Sequence, residues 1–440
     1  MTTKLVLRSV LLIGVYLAVS MAPLFAMLIG PTPPGRGFWR EFSVALGFAG
    51  LAIMGLQFFL TGRFRSLTAP YGIDVVYHFH RAVSLIAFSF ILLHAGIIPL
   101  AGPETLHLLH PATSPWWMVA GIAGLLAFAV VIATSLYRKQ LGLVYERWRG
   151  IHGTVAVVAV ALAMTHIGGV GYYAQGYVKR GLWIALIIGW VLALAYVRLI
   201  KPMIMLRRPY RIEEVAKERG RSWTLTLRPE GHRGMNFMPG QFAWLTLGAS
   251  PYSIREHPFS FSSSAMEPDR LRMTIKELGD FTSRIGEVRP GTRAYLDGPH
   301  GTFTIDRHGA AGYVFIAGGV GITPVMSILR TMADRHDARP VLLLYGSIRW
   351  EEITFREELD ELPARLNLRV VHVLEEPPEG WKGESGRITA ELLARHLPAD
   401  RMAREYFICG PEPMQKAIRN AMDRLGLPME HVQSESFNFV

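Results

Sequence analysis

Two regimes of hydrophobic patterning divide the chain. Up to about residue 200, apolar residues run almost unbroken and charges fall only between the runs. Six runs are long enough to span a bilayer, at about 20 residues each: roughly 10–30, 43–61, 75–100, 116–137, 151–171 and 181–200. Lys4 and Arg8 precede the first, as in a signal peptide, but its apolar core exceeds the usual 7–15 residues, so it is read as a retained helix. Beyond residue 205 charges occur throughout. "SWTLTLRP", "QFAWLTLG", "RLRMTIKEL" and "TRAYLDGP" alternate or are β-rich, with Gly and Pro between them, which predicts a small barrel. From 312 the order is strand, Gly-rich turn, helix, strand, helix, in "YVFIAGGVGITPVMSILRTMADR" and "PVLLLYGSIR". That order predicts a parallel nucleotide-binding sheet.

Charge adds an orientation. The 440 residues carry a formal net charge of +11, yet no basic stripe interleaved with aromatics appears, which argues against a nucleic-acid partner. Much of the excess flanks the spans. Arg63 and Arg65, then Arg138, Lys139, Arg147 and Arg149, then Arg207, Arg208 and Arg211 fall in alternate connections. The positive-inside rule makes that side cytoplasmic. Both termini and the polar half follow it there, as expected for a bacterial inner-membrane protein with six spans. Arg36 and Arg40, in the first outer loop, run against the rule. The single cysteine, Cys409, excludes an intramolecular disulfide and a Cys-only zinc or iron–sulfur site within one chain.

Histidines inside spans are costly and point to function. "HFHRAVSLIAFSFILLH" (78–94) and "HGTVAVVAVALAMTH" (152–166) each end on one. His80 and His94 are separated by the same spacing as His152 and His166. On a helix that spacing brings the two rings within roughly 40° of one face and about 21 Å apart along the axis. One span separates the two helices, so they run in the same direction. His80 is then level with His152 near the cytoplasm, and His94 with His166 near the outside. Two imidazole pairs at two depths are a natural frame for two b-type haems, each with two axial imidazoles. The plainer reading of any one membrane histidine is an interhelical hydrogen bond. His78 points elsewhere on its helix, and His107 and His110 sit in an outer loop. Zinc fits poorly, because the two histidines of one helix are too far apart to share an ion.

The polar half carries four motifs. "EHPFSFSSS" (256–264) sets an aromatic between proline and hydroxyls, a surface for a flat ring with polar edges. In "IKELGDFTSRI" (275–285) Gly279 allows a tight turn, and Thr282 is expected to cap a following helix whose amides face an anion. "GGVGITP" (318–324) after a strand is an anion-binding turn, though not the G-x-G-x-x-G fingerprint. "FICGPEPM" (407–414) is a second strand-to-turn crossing, whose Cys409 is equally a small buried residue.

In this order, with a terminal "ESFNFV", the motifs resemble the ferredoxin–NADP reductase group. With the paired histidines ahead of them, nearly the whole chain resembles the NADPH oxidase and ferric reductase superfamily. The resemblance implies a multidomain membrane protein: a six-helix transmembrane dihaem domain over 1–204, an FAD-binding antiparallel β-barrel over 205–310, and an α/β parallel-sheet NAD(P)H-binding domain over 311–440. It implies that His80, His94, His152 and His166 ligate two haem irons. His257, Pro258, Phe259, Ser260 and Ser262 would line FAD, with Lys276, Gly279, Phe281 and Thr282 toward its diphosphate side. Gly318, Gly319, Gly321, Thr323 and Pro324 would hold the nicotinamide nucleotide, with Cys409, Gly410 and Pro411 near the nicotinamide. Phe437 would cover the flavin and take part in hydride transfer beside Cys409; Phe439 is the alternative. Arg349, with Ser347, either binds a 2′-phosphate, which favours NADPH over NADH, or only stacks on adenine. Arg81 and Arg149 either pair with haem propionates or snorkel at the membrane edge.

The implied activity is electron transfer from cytosolic NADPH through FAD and two haems to an outer acceptor, dioxygen giving superoxide or a ferric chelate. Some eukaryotic oxidases of the family carry a histidine where this chain has Ile98. A reductase module serving a membrane or periplasmic protein is a further reading, and a non-enzymatic haem-binding protein a more remote one. Neither an EF-hand pattern nor a long N-terminal extension occurs, so activity without calcium control is expected; a partner subunit stays open.

Overall fold

The computed structural model describes residues 3–435, apart from 31–32, 69–70, 103–104, 108–109 and 111. It divides into two compact units, Thr2–Lys201 and Pro202–Val440.

In the first unit the apolar runs form α1 (Thr3–Met27), α2 (Phe38–Leu60), α3 (Ile73–Ala101), α4 (Trp116–Leu136), α5 (Tyr145–Val170) and α6 (Tyr177–Ala195). The chain continues from α6 through one π-helical turn, Tyr196–Ile200, into Lys201–Leu206. All six are long and apolar enough to cross a membrane. α5 begins well before its apolar run, so Arg147 and Arg149 lie in its first turns and not in a loop. A hydropathy pattern detects only the apolar part of a helix, whereas long basic side chains let its end continue into the interface. α2 packs against α3, and α4 against α5. Phe48, Leu51, Met54, Ala87, Phe128, Ala159, Trp183 and Trp190 form the shared core. Val10, Leu92, Leu126 and Val191 face outward, as hydrocarbon surroundings permit.

The second unit opens with six antiparallel strands: β1 (Tyr210–Glu218), β2 (Ser222–Pro229), β3 (Phe242–Leu247), β4 (His257–Ser260), β5 (Leu271–Lys276) and β6 (Arg293–His300). Their order is β4-β3-β6-β1-β2-β5. A bridge between Phe261 and Met273 draws the two ends together. Leu225, Leu227, Phe261 and Met273 fill the interior. The quoted β-rich runs coincide with β2, β3, β5 and β6. β1, with its charged alternate positions, and the short β4 went unread as strands.

A parallel sheet follows: β7 (Tyr313–Gly318), β8 (Val341–Ser347), β9 (Leu368–Leu374), β10 (Glu384–Ser385), β11 (Glu405–Cys409) and β12 (Val432–Ser434). Its order is β10-β9-β8-β7-β11-β12. Both faces are buried, as a parallel sheet with covering helices requires. The helices are α7 (Ile322–Asp334), α8 (Arg356–Glu361), α9 (Ala390–His396) and α10 (Glu412–Arg424). On α7, Thr323, Ser327 and Thr331 recur every four residues and so share a face. Thr323 Oγ1 donates to Thr274 O at 3.4 Å, Ser327 Oγ to Ser263 O at 2.8 Å, and Thr331 Oγ1 accepts from Ala265 N at 2.8 Å. Arg330 donates to Ser262 O and pairs with Glu358. This polar seam fixes barrel against sheet.

Candidate functional site

The four core histidines meet in two pairs. The ring centroids of His80 and His152 are 6.4 Å apart at an interplanar angle of 74°. Those of His94 and His166 are 6.4 Å apart at 61°. The pairs lie at two depths along α3 and α5.

Each Nδ1 is held by a neighbouring helix. His80 Nδ1 is 2.8 Å from Gln57 Oε1, and His94 Nδ1 is 3.0 Å from both the carbonyl oxygen and the hydroxyl of Ser43. Both partners are on α2. His152 Nδ1 is 3.1 Å from Ser135 Oγ, and His166 Nδ1 is 3.1 Å from Trp117 O. Both of those are on α4. The acceptors are carbonyl oxygens or hydroxyls already donating elsewhere: Ser43 Oγ to His94 O and Ser135 Oγ to Val131 O. Each Nδ1 therefore carries the hydrogen, and each Nε2 presents a lone pair, the tautomer a metal ligand needs. Glycines allow the close approach at the outer pair. A Cβ on Gly47 would stand 3.0 Å from the His94 ring, and one on Gly121 2.7 Å from His166 Nδ1.

The pairs fit a haem iron. Two imidazoles bonded on opposite sides of one metal at about 2 Å place their ring centroids about 6.3 Å apart. Among the described residues no cluster of three or more His, Cys, Asp or Glu could hold a metal. Two protein ligands per site suit an iron whose other positions belong to a porphyrin. His78, His107 and His110 are exposed, as is Arg81, and Arg149 is half-buried.

In the second unit, His257 and Phe259 point to the same side of β4. The Phe281 ring stacks on His257 at 4.0 Å and 21°, and lies 6.1 Å from Phe259 at 18°. Pro258 sits between them, half-buried like its neighbours, and Ser260 is buried. Ser262 is fully buried, and its hydroxyl accepts from Thr274, so it belongs to an inner network and not to the aromatic surface. Lys276 ends β5, with Nζ 4.0 Å from where a Cβ on Gly319 would stand. Thr282 departs from expectation. It opens a six-residue 3-10 turn, Thr282–Glu287, and makes no forward cap. Its Oγ1 accepts instead from the amides of Leu278 and Gly279, both at 2.9 Å. The hydroxyl closes the preceding turn, which the short turn after it cannot compete for.

The two Gly-rich crossings meet where the strand order of the parallel sheet reverses, between β7 and β11, the usual place for a nucleotide in such sheets. Gly319 has φ +54 and forms the open part of the turn. Gly321 is needed for packing: a Cβ there would stand 2.3 Å from Cys409 O. Gly318 and Gly410 pack against Met414 in the same way. Thr323 and Pro324 are buried, and Pro411 is exposed. Cys409 is 3% exposed, and burial first, then the Glu435 carboxylate, push its thiol far up. Glu435 is itself buried, beside Gly301, and its carbonyl accepts from Gln415 Nε2 at 3.2 Å. Phe437 and Phe439 lie outside the described residues. Arg349 pairs with Glu376, Nη2 to Oε2 at 2.7 Å.

Sequence reasoning missed Ser43, Gln57, Trp117 and Ser135. Ser43 and Gln57 repeat the spacing of the histidine pairs, a signal present in the text. Glu435 was quoted only for the aromatic that follows it.

Residues 46–163 match the ferric reductase-like transmembrane component. Residues 224–301 match an FAD-binding domain and 315–420 an oxidoreductase NAD-binding domain. The first match includes His80, His94 and His152, and ends just before His166. The stachydrine N-demethylase reductase subunit of Rhizobium meliloti is 32% identical over 46% of this chain and 58% of its own. NADH-cytochrome b5 reductase 1 of Lodderomyces elongisporus is 36% identical over 38% of this chain and 57% of its own. The chain thus spans somewhat over half the length of these curated relatives. A flavohemoglobin from Malassezia yamatoensis aligns at a TM-score of 0.50 and 17% identity, over 90% of this chain and 97% of that one, a likeness of fold alone. The fold and matches define a helical transmembrane domain fused to an FAD- and NAD-binding module. Together the three matches make up the domain set of the NADPH oxidase and ferric reductase superfamily.

Proposed function

We propose that the chain moves electrons from NAD(P)H in the cytoplasm across the membrane, through FAD and two b haems, to dioxygen on the outer side. The observation that carries this reading is the matched pair of pairs: four Nδ1-bonded histidines, set two by two at 6.4 Å. When bound, FAD turns a two-electron hydride donor into a one-electron source, and each haem iron relays single electrons. The chain's residues supply the rest. His80 with His152, and His94 with His166, would hold the two haem irons through Nε2, and haems so held would supply one-electron relay without binding the acceptor. His257, Pro258, Phe259, Ser260, Ser262, Lys276, Gly279, Phe281 and Thr282 are assigned to FAD, although Ser262 and Thr282 act by shaping the strand and turn. The turn at Gly318–Pro324, with Cys409, Gly410 and Pro411, is assigned to the nicotinamide nucleotide, and Phe437 to the flavin face.

One NAD(P)H gives NAD(P)⁺, a proton and two electrons, which reduce two dioxygen molecules to two superoxide ions. The alternation of basic connections supports the assigned orientation, with the second unit cytoplasmic. A ferric chelate is the second reading, favoured by the match to a ferric reductase-like component and by Ile98. NADPH-driven, dismutase-sensitive cytochrome c reduction by the purified protein with FAD tests the first. Haem reduction without that signal, but with ferrous iron formed from a ferric chelate, supports the second.

A further inference from the structure

Gln57 stands apart from its surroundings. It is the amide in "GLQFFL" near the end of α2, inside a span and 7% exposed. An amide in hydrocarbon is costly unless bonded. Both of its ends are committed: Nε2 donates to Ile53 O at 2.9 Å, and Oε1 faces His80 Nδ1 at 2.8 Å. The first bond fixes which way the amide points. The second then requires the His80 hydrogen on Nδ1. Resting on the haem assignment above, we propose that Gln57 is a positioning residue for the inner haem, locking the tautomer and plane of His80 and setting how strongly its Nε2 donates to iron.

The two depths differ in kind. At the inner pair both Nδ1 acceptors are side chains, Gln57 and Ser135. At the outer pair, main-chain carbonyls of Ser43 and Trp117 accept. Substitution can therefore retune the inner haem but leaves the outer acceptors in place. A stronger acceptor at Nδ1 makes the imidazole a better donor and favours ferric iron.

The test is spectroelectrochemical titration of the full-length haem-loaded protein, with low-temperature EPR of both haems. Gln57→Glu should lower one midpoint potential and Gln57→Leu should raise the same one, with the matching EPR signal shifting in both. Ser43→Ala should move the other potential little, because its carbonyl remains. Should Gln57→Leu lose haem, Gln57→Glu alone decides by the direction of its shift. Two intact bis-imidazole haems with unmoved potentials in Gln57→Glu would overturn the assignment of Gln57 alone. Absence of bis-imidazole haem from the unsubstituted protein would instead overturn the reading on which it rests.

Discussion

His94 and His166 face each other with ring centroids 6.4 Å apart, each held from behind by a carbonyl of a different helix. On the proposed assignment, removing either imidazole would leave the outer haem with a single protein ligand. We expect His94→Leu and His166→Leu each to abolish the outer haem, halving haem content by pyridine haemochrome assay. NAD(P)H-to-flavin reduction should persist, because the second unit is untouched. Two haems per chain in both variants would rule out this ligand assignment.

The ring planes of the two pairs are crossed, at 74° and 61°. Crossed imidazole planes make low-spin ferric haem strongly anisotropic. We expect low-temperature EPR to give features displaced to large g for both haems, and not the well-resolved rhombic triplet of parallel planes.

Gly121 leaves room for the His166 ring that any side chain would fill. A Cβ would stand 2.7 Å from His166 Nδ1, so Gly121→Ala must displace the ring from Trp117 O. We expect selective loss of the outer haem and destabilisation of about 1–3 kcal/mol, read by haem content and thermal unfolding in detergent.

The Cys409 thiol is raised by burial and then by Glu435. A raised thiol value keeps the neutral form as pH increases, so no thiolate forms across the neutral range. We expect Cys409 to resist alkylation in the native protein at pH 8 and to label fully once unfolded. Rapid native labelling would contradict the burial.

Arg349 pairs with Glu376 on an exposed surface. A 2′-phosphate binding there must compete with that carboxylate, whereas NADH carries no such group. We expect Glu376→Gln to raise kcat/KM for NADPH relative to NADH by about 1.5–5-fold, the range of one exposed charge contact. An unchanged ratio would remove Arg349 from 2′-phosphate recognition.

Much of this arrangement was legible because membrane spans and strands advertise themselves by hydrophobic period. The histidine pairing followed from helix geometry alone, since identical spacing on two parallel helices leaves little freedom. What the period conceals is polar. The charged first turns of α5 read as a loop in the sequence, and β1 alternates charges that mask its inward residues. The acceptors were hidden for another reason. Trp117 acts through its carbonyl, which any residue possesses, and Ser43 and Ser135 resemble ordinary helix serines. The visible clue was Gln57, a polar amide inside a span that stands at the histidine spacing from Ser43. Thr282 shows the limit of motif reading: its hydroxyl accepts from the amides of Leu278 and Gly279, a choice that only three-dimensional closure of the turn makes.

A membrane domain with two bis-imidazole haems fed by a nicotinamide nucleotide has a distinctive spectrum. The most direct measurement is the visible spectrum of the purified protein with FAD, taken anaerobically before and after NADPH, alongside a haem count. We expect two b haems per chain, both low-spin, both reduced by NADPH and neither altered by carbon monoxide. A single haem, carbon monoxide binding to the reduced form, or haem that NADPH leaves oxidised would contradict this.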